Sequence, residues 1–176
     1  MSETIKVQFP NGVEYTHTFD GRLDKFEYAN GDKFWYLNSV FHREDGPARD
    51  FADGEKHWFL YGKRHRIDGP AVEYTDGSKY WYLNGELHRV DGPATEWADG
   101  TKEWYLHGKL YREDGPAVES ASGNKYWYLN NKLHRENGPA IELANGHKEY
   151  WVNGEHLYFI TNNQMLIYYL KYGFLK

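Results

Sequence analysis

Histidine returns at one interval along this chain: His42, His65, His88 and His134 occupy equivalent places 23 residues or twice 23 apart, with Tyr111 taking the place once. Imidazole is the commonest zinc ligand and general base, so four in register raise metal binding and proton transfer first. If each belongs to one copy of a two-stranded unit, neighbouring copies sit about 9–10 Å apart. That is too far for two of them to share a zinc ion at about 2.1 Å per bond. The expected role is packing on, or bonding near, the cross-strand tryptophan.

Each of these positions is followed by arginine: Arg43, Arg66, Arg89, Arg112 and Arg135, with Asp45, Asp68, Asp91, Asp114 and Asn137 two places on. Cross-strand pairing of Arg89 with Glu73 around Tyr80 would fix strand register. The competing chemistry is anion binding, because arginine beside an exposed tyrosine is also how a phosphate-bearing base is held. The candidate binding residues are therefore Tyr36, Phe59, Tyr82, Tyr105 and Tyr128 together with Arg66, Arg89, Arg112 and Arg135. A catalytic site needs one place that differs from its surroundings, whereas these polar groups are copied from unit to unit. No phosphate loop, GxSxG, HExxH or EF-hand loop occurs, and Ser120 and Ser122 fall in a turn region. No catalytic residue, metal or cofactor is expected.

The elements that carry these groups are legible from composition and period. Sixteen Tyr, 9 Phe and 7 Trp with 18 Gly describe sheet formers punctuated by turn formers, an all-β composition. With no cysteine, disulfides, thiolate nucleophiles and Cys-ligated zinc are excluded. The 21 Lys and Arg against 26 Asp and Glu argue against a protein held to nucleic acid by counterion release. No apolar run is long enough to span a bilayer and the start lacks the regions of a signal peptide, so the chain is expected to be cytoplasmic and off the membrane.

Trp35, Trp58, Trp81, Trp104 and Trp127 recur every 23 residues, as do Pro47, Pro70, Pro93, Pro116 and Pro139. Both sets read as structural. A fixed period of this length signals a solenoid or array. Residues 1–30 read as an N-terminal hairpin cap and degenerate unit, 31–145 as five full units, and 146–176 as a degenerate last unit with a C-terminal helix, all in one continuous domain. In each unit Asn84-Gly85 and Asp76-Gly77 are the two-residue type I′ hairpin signals. They predict Tyr82 opposite Leu87, Leu83 opposite Glu86, Glu73 opposite Tyr80 and Val72 opposite Trp81. One face would then carry Val72, Tyr74, Trp81, Leu83 and His88 as the core side; the other would carry Glu73, Tyr80, Tyr82, Leu87 and Arg89. Asp91-Gly92-Pro93 is where a bulge or bend belongs. One bend per unit predicts a curved, single-layer antiparallel β-meander. Thr161 and Gln164 form a capping box, so a capping α-helix is expected from about Asn162 to Tyr172, buried on the last unit or in a homo-oligomer contact.

The unit resembles the MORN repeat, which couples an aromatic, an Asn-Gly turn, a histidine and a later Asp-Gly turn in 23 residues; here these are Trp81, Asn84, Gly85, His88, Asp99 and Gly100. It departs in having Arg89 where MORN units carry glycine, and in the added Gly-Pro-Ala. The "HREDGPA" form is similar to units in proteins of tailed phages and large DNA viruses. The resemblance implies a curved sheet used for protein contacts, dimerisation or phospholipid binding. The expected function is a non-catalytic scaffold that binds another protein, as a viral inhibitor or adaptor acting on a host factor. The competing reading is a binder of nucleotides or other phosphorylated small ligands through tyrosine stacking and arginine.

Overall fold

The computed structural model describes residues 3–9, 14–19 and 23–158, and over these the chain is all-β with no helix. The expected helix at 162–172 and the turn of the expected N-terminal hairpin lie outside the described residues. The chain opens with four antiparallel strands in sequence order: β1 Glu3–Gln8, β2 Glu14–Phe19, β3 Asp24–Tyr28 and β4 Lys33–Leu37. From there each unit adds two short strands to the same sheet, such as Val72–Glu73 and Lys79–Tyr80, and then a separate hairpin, Tyr82–Leu83 with Glu86–Leu87. Fourteen strands follow one another across the main sheet, and Val40–Phe41 pairs with β4 as a fifteenth.

The two turns of the unit differ in kind. At Asn84-Gly85 both residues have positive φ, 55° and 90°, and Tyr82 faces Leu87 as a type I′ turn requires. At the other turn the Gly77 N–H donates to the Tyr74 carbonyl at 3.1 Å and the Tyr74 N–H to Ser78 O at 2.9 Å. That is a three-residue loop, Thr75 to Gly77, with glycine alone in the left-handed region at φ 94°. Asp76 favours it by accepting the Ser78 N–H at 2.8 Å, a local bond that a two-residue loop would not offer. The register is consequently one residue away from the expected one: Val72 faces Tyr80 and Glu73 faces Lys79.

That single residue redistributes the faces. Alternation places Val72 and Tyr74 with Tyr80 and Tyr82, and ring contacts of Tyr74 with Tyr80 at 5.4 Å and of Tyr80 with Trp97 at 5.3 Å confirm it. Trp81 shares the opposite face with Glu73 and Lys79, so it does not sit with Val72 in an apolar core. The fully buried apolar side chains are small: Ala48, Ala71, Ala94, Ala117 and Ala140 have zero exposure, and Val72 is their largest companion. Each alanine sits where backbone lines converge; Ala94 O accepts the Trp81 N–H and its own N–H reaches Glu103 O, both at 2.8 Å.

The face opposite the aromatics carries a charge ladder. Glu73 lies between Lys56 and Lys79, Glu96 between Lys79 and Lys102, Glu119 between Lys102 and Lys125, and Glu142 between Lys125 and Lys148. Opposite charges directly across strands contribute about 0.2–1 kcal/mol per pair. A slip of one residue would move the ladder onto the aromatic side, so its main effect is to specify register in strands too short to specify their own.

Candidate functional site: an aromatic face backed by arginine clasps

Each repeated arginine folds back over its own tryptophan. The Arg89 guanidinium carbon lies 4.1 Å from the Trp81 ring centre, Nε donates to Asp91 at 3.0 Å, and Nη1 donates to the Pro93 carbonyl at 3.2 Å and to Glu96 at 3.3 Å. The stacking distance is 4.0, 4.0, 4.1 and 3.9 Å for Arg43, Arg66, Arg112 and Arg135. The carbonyls of Pro47, Pro70, Pro116 and Pro139 accept in the same way. Arg89 therefore pairs with Glu96, and the expected partner Glu73 belongs instead to Arg66 at 3.1 Å. Gly92 is required because a Cβ there would come within 2.9 Å of the guanidinium carbon. Arg-x-Asp-Gly-Pro-Ala is thus one device: stacking cation, capping carboxylate, gap, acceptor carbonyl and a residue small enough to bury.

The histidines join one unit to the next. His88 Nδ1 accepts the N–H of His107 at 3.2 Å, His65 that of Asn84 at 3.2 Å, His42 that of Tyr61 at 3.1 Å and His134 that of Asn153 at 3.1 Å. Every donor is the first turn residue of the following hairpin and has φ between 49° and 55°. Where Tyr111 replaces histidine, Asn131 makes the link, its carboxamide oxygen accepting the Leu110 N–H at 2.6 Å. At the other rim Ser78 Oγ accepts the Ala98 N–H at 2.9 Å and Thr101 Oγ1 the Ala121 N–H at 3.1 Å.

An accepting Nδ1 must carry a lone pair, so acid works against the His88 link. Burial first, then the neighbouring His107, holds His88 below the ordinary imidazole value of 6.5, and burial holds His57 below it too. A lowered histidine pKa means stability that is complete above about pH 6.5 and is lost as pH falls from there through the folded value. The arginine bonds hold Asp45, Asp68, Asp91 and Asp114 below 3.8. Their contribution is present above that value and is lost as pH falls through the lower folded ones. Thermal melting followed by circular dichroism should therefore show a plateau above pH 6.5, a first decline below it and a steeper one under about pH 4. A flat profile from pH 7 to 4.5 would disconnect the histidines from stability.

The predicted binding residues divide between the two sides. Tyr36, Phe59, Tyr82, Tyr105 and Tyr128 line the aromatic face, part-buried and linked through rings such as Phe41, which lies 4.5 Å from Tyr36 and 5.3 Å from Phe59. Burial raises the Tyr105 hydroxyl to about 12, with the Glu103 carboxylate adding to it, and burial raises Tyr80 to about 12. Arg66, Arg89, Arg112 and Arg135 are on the opposite side, engaged over tryptophan. The structure does not bring the tyrosines and these arginines together. It brings to the aromatic face two arginines that period-based reasoning passed over, Arg49 and Arg64, with His57 in the field of both. Their signal was present as departure from the repeat. The place of Arg49 is held in later units by Val72, Thr95, Val118 and Ile141, and that of Arg64 by Leu87, Leu110 and Leu133.

The clasp side has its own departures. Shallow grooves lie between successive clasps, and the one between Arg66 and Arg89 is rimmed by Ile67 and Val90, 87% and 82% exposed, where other units carry Glu44, Glu113 and Glu136. Among the described residues no cluster of three or more His, Asp or Glu side chains is arranged to hold a metal ion, and no helix is long and apolar enough to cross a membrane. No known family model matches the chain, and no curated protein matches it in sequence.

Proposed function

We propose that the protein is a non-catalytic repeat scaffold that binds another protein through its aromatic face. One observation carries the reading: the polar groups that recur in every unit are consumed by bonds within the array, while Tyr74 and Trp97 remain 38% and 43% exposed on a face of part-buried rings. Large rings with few rotatable bonds are suited to interface hot spots. In this reading the sheet is a curved single layer, the C-terminal residues form a helix covering its end or joining two copies, and the partner is a host factor met in the cytoplasm by a viral inhibitor or adaptor. The MORN-like unit supports the same use.

Affinity capture from host lysate compares three proteins: wild type, Tyr74→Ser with Trp97→Ser, and Ile67→Glu with Val90→Glu on the opposite side. Both substituted pairs are at surface positions, so melting should shift little. The expected result is a captured protein lost in the first variant and retained in the second. Loss in the second variant alone would move the interface to the clasp side and overturn the assignment.

A further inference from the structure

Five of the described arginines are clasped over tryptophan with a proline carbonyl as acceptor, and four of the five also hold the carboxylate two places on. Arg49 and Arg64 are different. Among the described residues neither is placed against a carboxylate, and the Nε of each is buried without a hydrogen-bond partner. Both lie against rings: Arg49 is 4.8 Å from Phe51 and 5.3 Å from Phe41, and Arg64 is 5.8 Å from Phe59 and 5.4 Å from Tyr82. The Phe41 and Phe59 rings are themselves 5.3 Å apart, so the two guanidiniums bracket one aromatic pair. Arg49 is directly opposite His57 across the strands. His57 is 4% exposed, its Nε2 is engaged by Glu55 at 2.7 Å, and its Nδ1 is buried without a partner.

Cation–π contact offsets only part of the cost of withdrawing a guanidinium from water, and two that flank one aromatic pair repel each other. Elsewhere this chain gives arginine a capping group; here it gathers two cations and supplies none. An anion is what the arrangement lacks. The flat rings beside the guanidiniums add stacking surface for a planar group attached to that anion.

We propose that Arg49 and Arg64 form a binding site for a phosphate-bearing ligand with a planar ring, a nucleotide being the simplest. The guanidinium N–H groups donate to the phosphate oxygens, and the Phe41, Phe59 and Tyr82 rings take the base. Arginine suits the first task because its planar fork matches phosphate oxygens in pairs. The site occupies the N-terminal part of the aromatic face and leaves Tyr74 and Trp97 to the protein contact proposed above.

The test is a titration of the intact protein with AMP, adenosine and inorganic phosphate, followed by calorimetry and by the arginine Nε resonances in NMR. AMP should saturate and bind at least about tenfold more tightly than phosphate alone, a difference of about 1.4 kcal/mol. Adenosine alone should bind more weakly than AMP. Arg49→Ala with Arg64→Ala should abolish the response. Arg49→Lys with Arg64→Lys keeps the charge and most of the stem packing but lacks the fork, and should weaken AMP by about tenfold or more while melting as wild type does. No saturation by AMP or by phosphate would overturn the proposal. So would AMP binding unchanged in the lysine variant, or adenosine binding as tightly as AMP.

Discussion

Gly92→Ala should destabilise the protein by about 1–3 kcal/mol, as overpacking of a filled site does, and should add little further loss once Arg89 has been replaced by alanine. Gly92 does not have positive φ, so alanine there meets no backbone strain. What it meets is the guanidinium carbon of Arg89 at 2.9 Å, with Nε at 3.1 Å and Nη2 at 3.2 Å behind it. The side chain cannot retreat toward Trp81, whose ring is already 4.1 Å away on the other side. It must leave the slot, giving up the stack, the Pro93 carbonyl and Glu96 together. Arg89→Ala alone should cost a comparable amount, since a charge-assisted hydrogen bond contributes about 1.5–3 kcal/mol and the stack about 0.5–2. With the arginine gone, a methyl group at 92 has nothing to strike. A double-mutant cycle by urea denaturation reads the coupling directly. Additive losses would show that glycine is needed for backbone geometry and that the clasp is incidental.

The parts of this structure that local chemistry decides were legible in the sequence, and the parts decided by one bond at a turn were not. The period identified the unit, and Asn84-Gly85 yielded the correct hairpin because both residues tolerate the left-handed region. Asp76-Gly77 carries the same dipeptide signal, but the Asp76 carboxylate bonds forward to Ser78 and lengthens the loop to three residues. Since side chains alternate with a period of two, that one residue was enough to assign Trp81 and Val72 to the same side when they lie on opposite ones. The same slip attached Arg89 to Glu73 in place of Glu96. Asp-Gly-Pro was legible as an interruption of the strand, yet its reason, a guanidinium filling the space over Gly92, needs a contact that spacing does not contain. Arg49, His57 and Arg64 were missed for the opposite reason: attention to what recurs hides the residues that do not.

Deleting Val72 through Ala94 should leave a folded, all-β protein one unit shorter, whereas deleting Glu73 through Ala94, one residue fewer, should not fold. The longer deletion joins Ala71 to Thr95, and Ala71 and Ala94 are equivalent, fully buried positions. Glu96 then meets Lys56 as Glu73 did, so the charge ladder keeps its alternation. Arg66 finds Glu96 where it held Glu73, and His65 finds the His107 N–H where it held that of Asn84. These lost contacts are replaced by their counterparts, so unfolding free energy should fall by about one unit and one interface, as expected of a quasi-one-dimensional array. The shorter deletion keeps Val72 as an extra residue at the join. All that follows is displaced by one, which sends the glutamate of the ladder toward the aromatic side and Thr95 toward the lysines. Circular dichroism and urea denaturation of the two proteins distinguish the cases. Equal folding of both would mean that neither the ladder nor the clasps specify register, and loss of structure in both would mean that the units are not interchangeable.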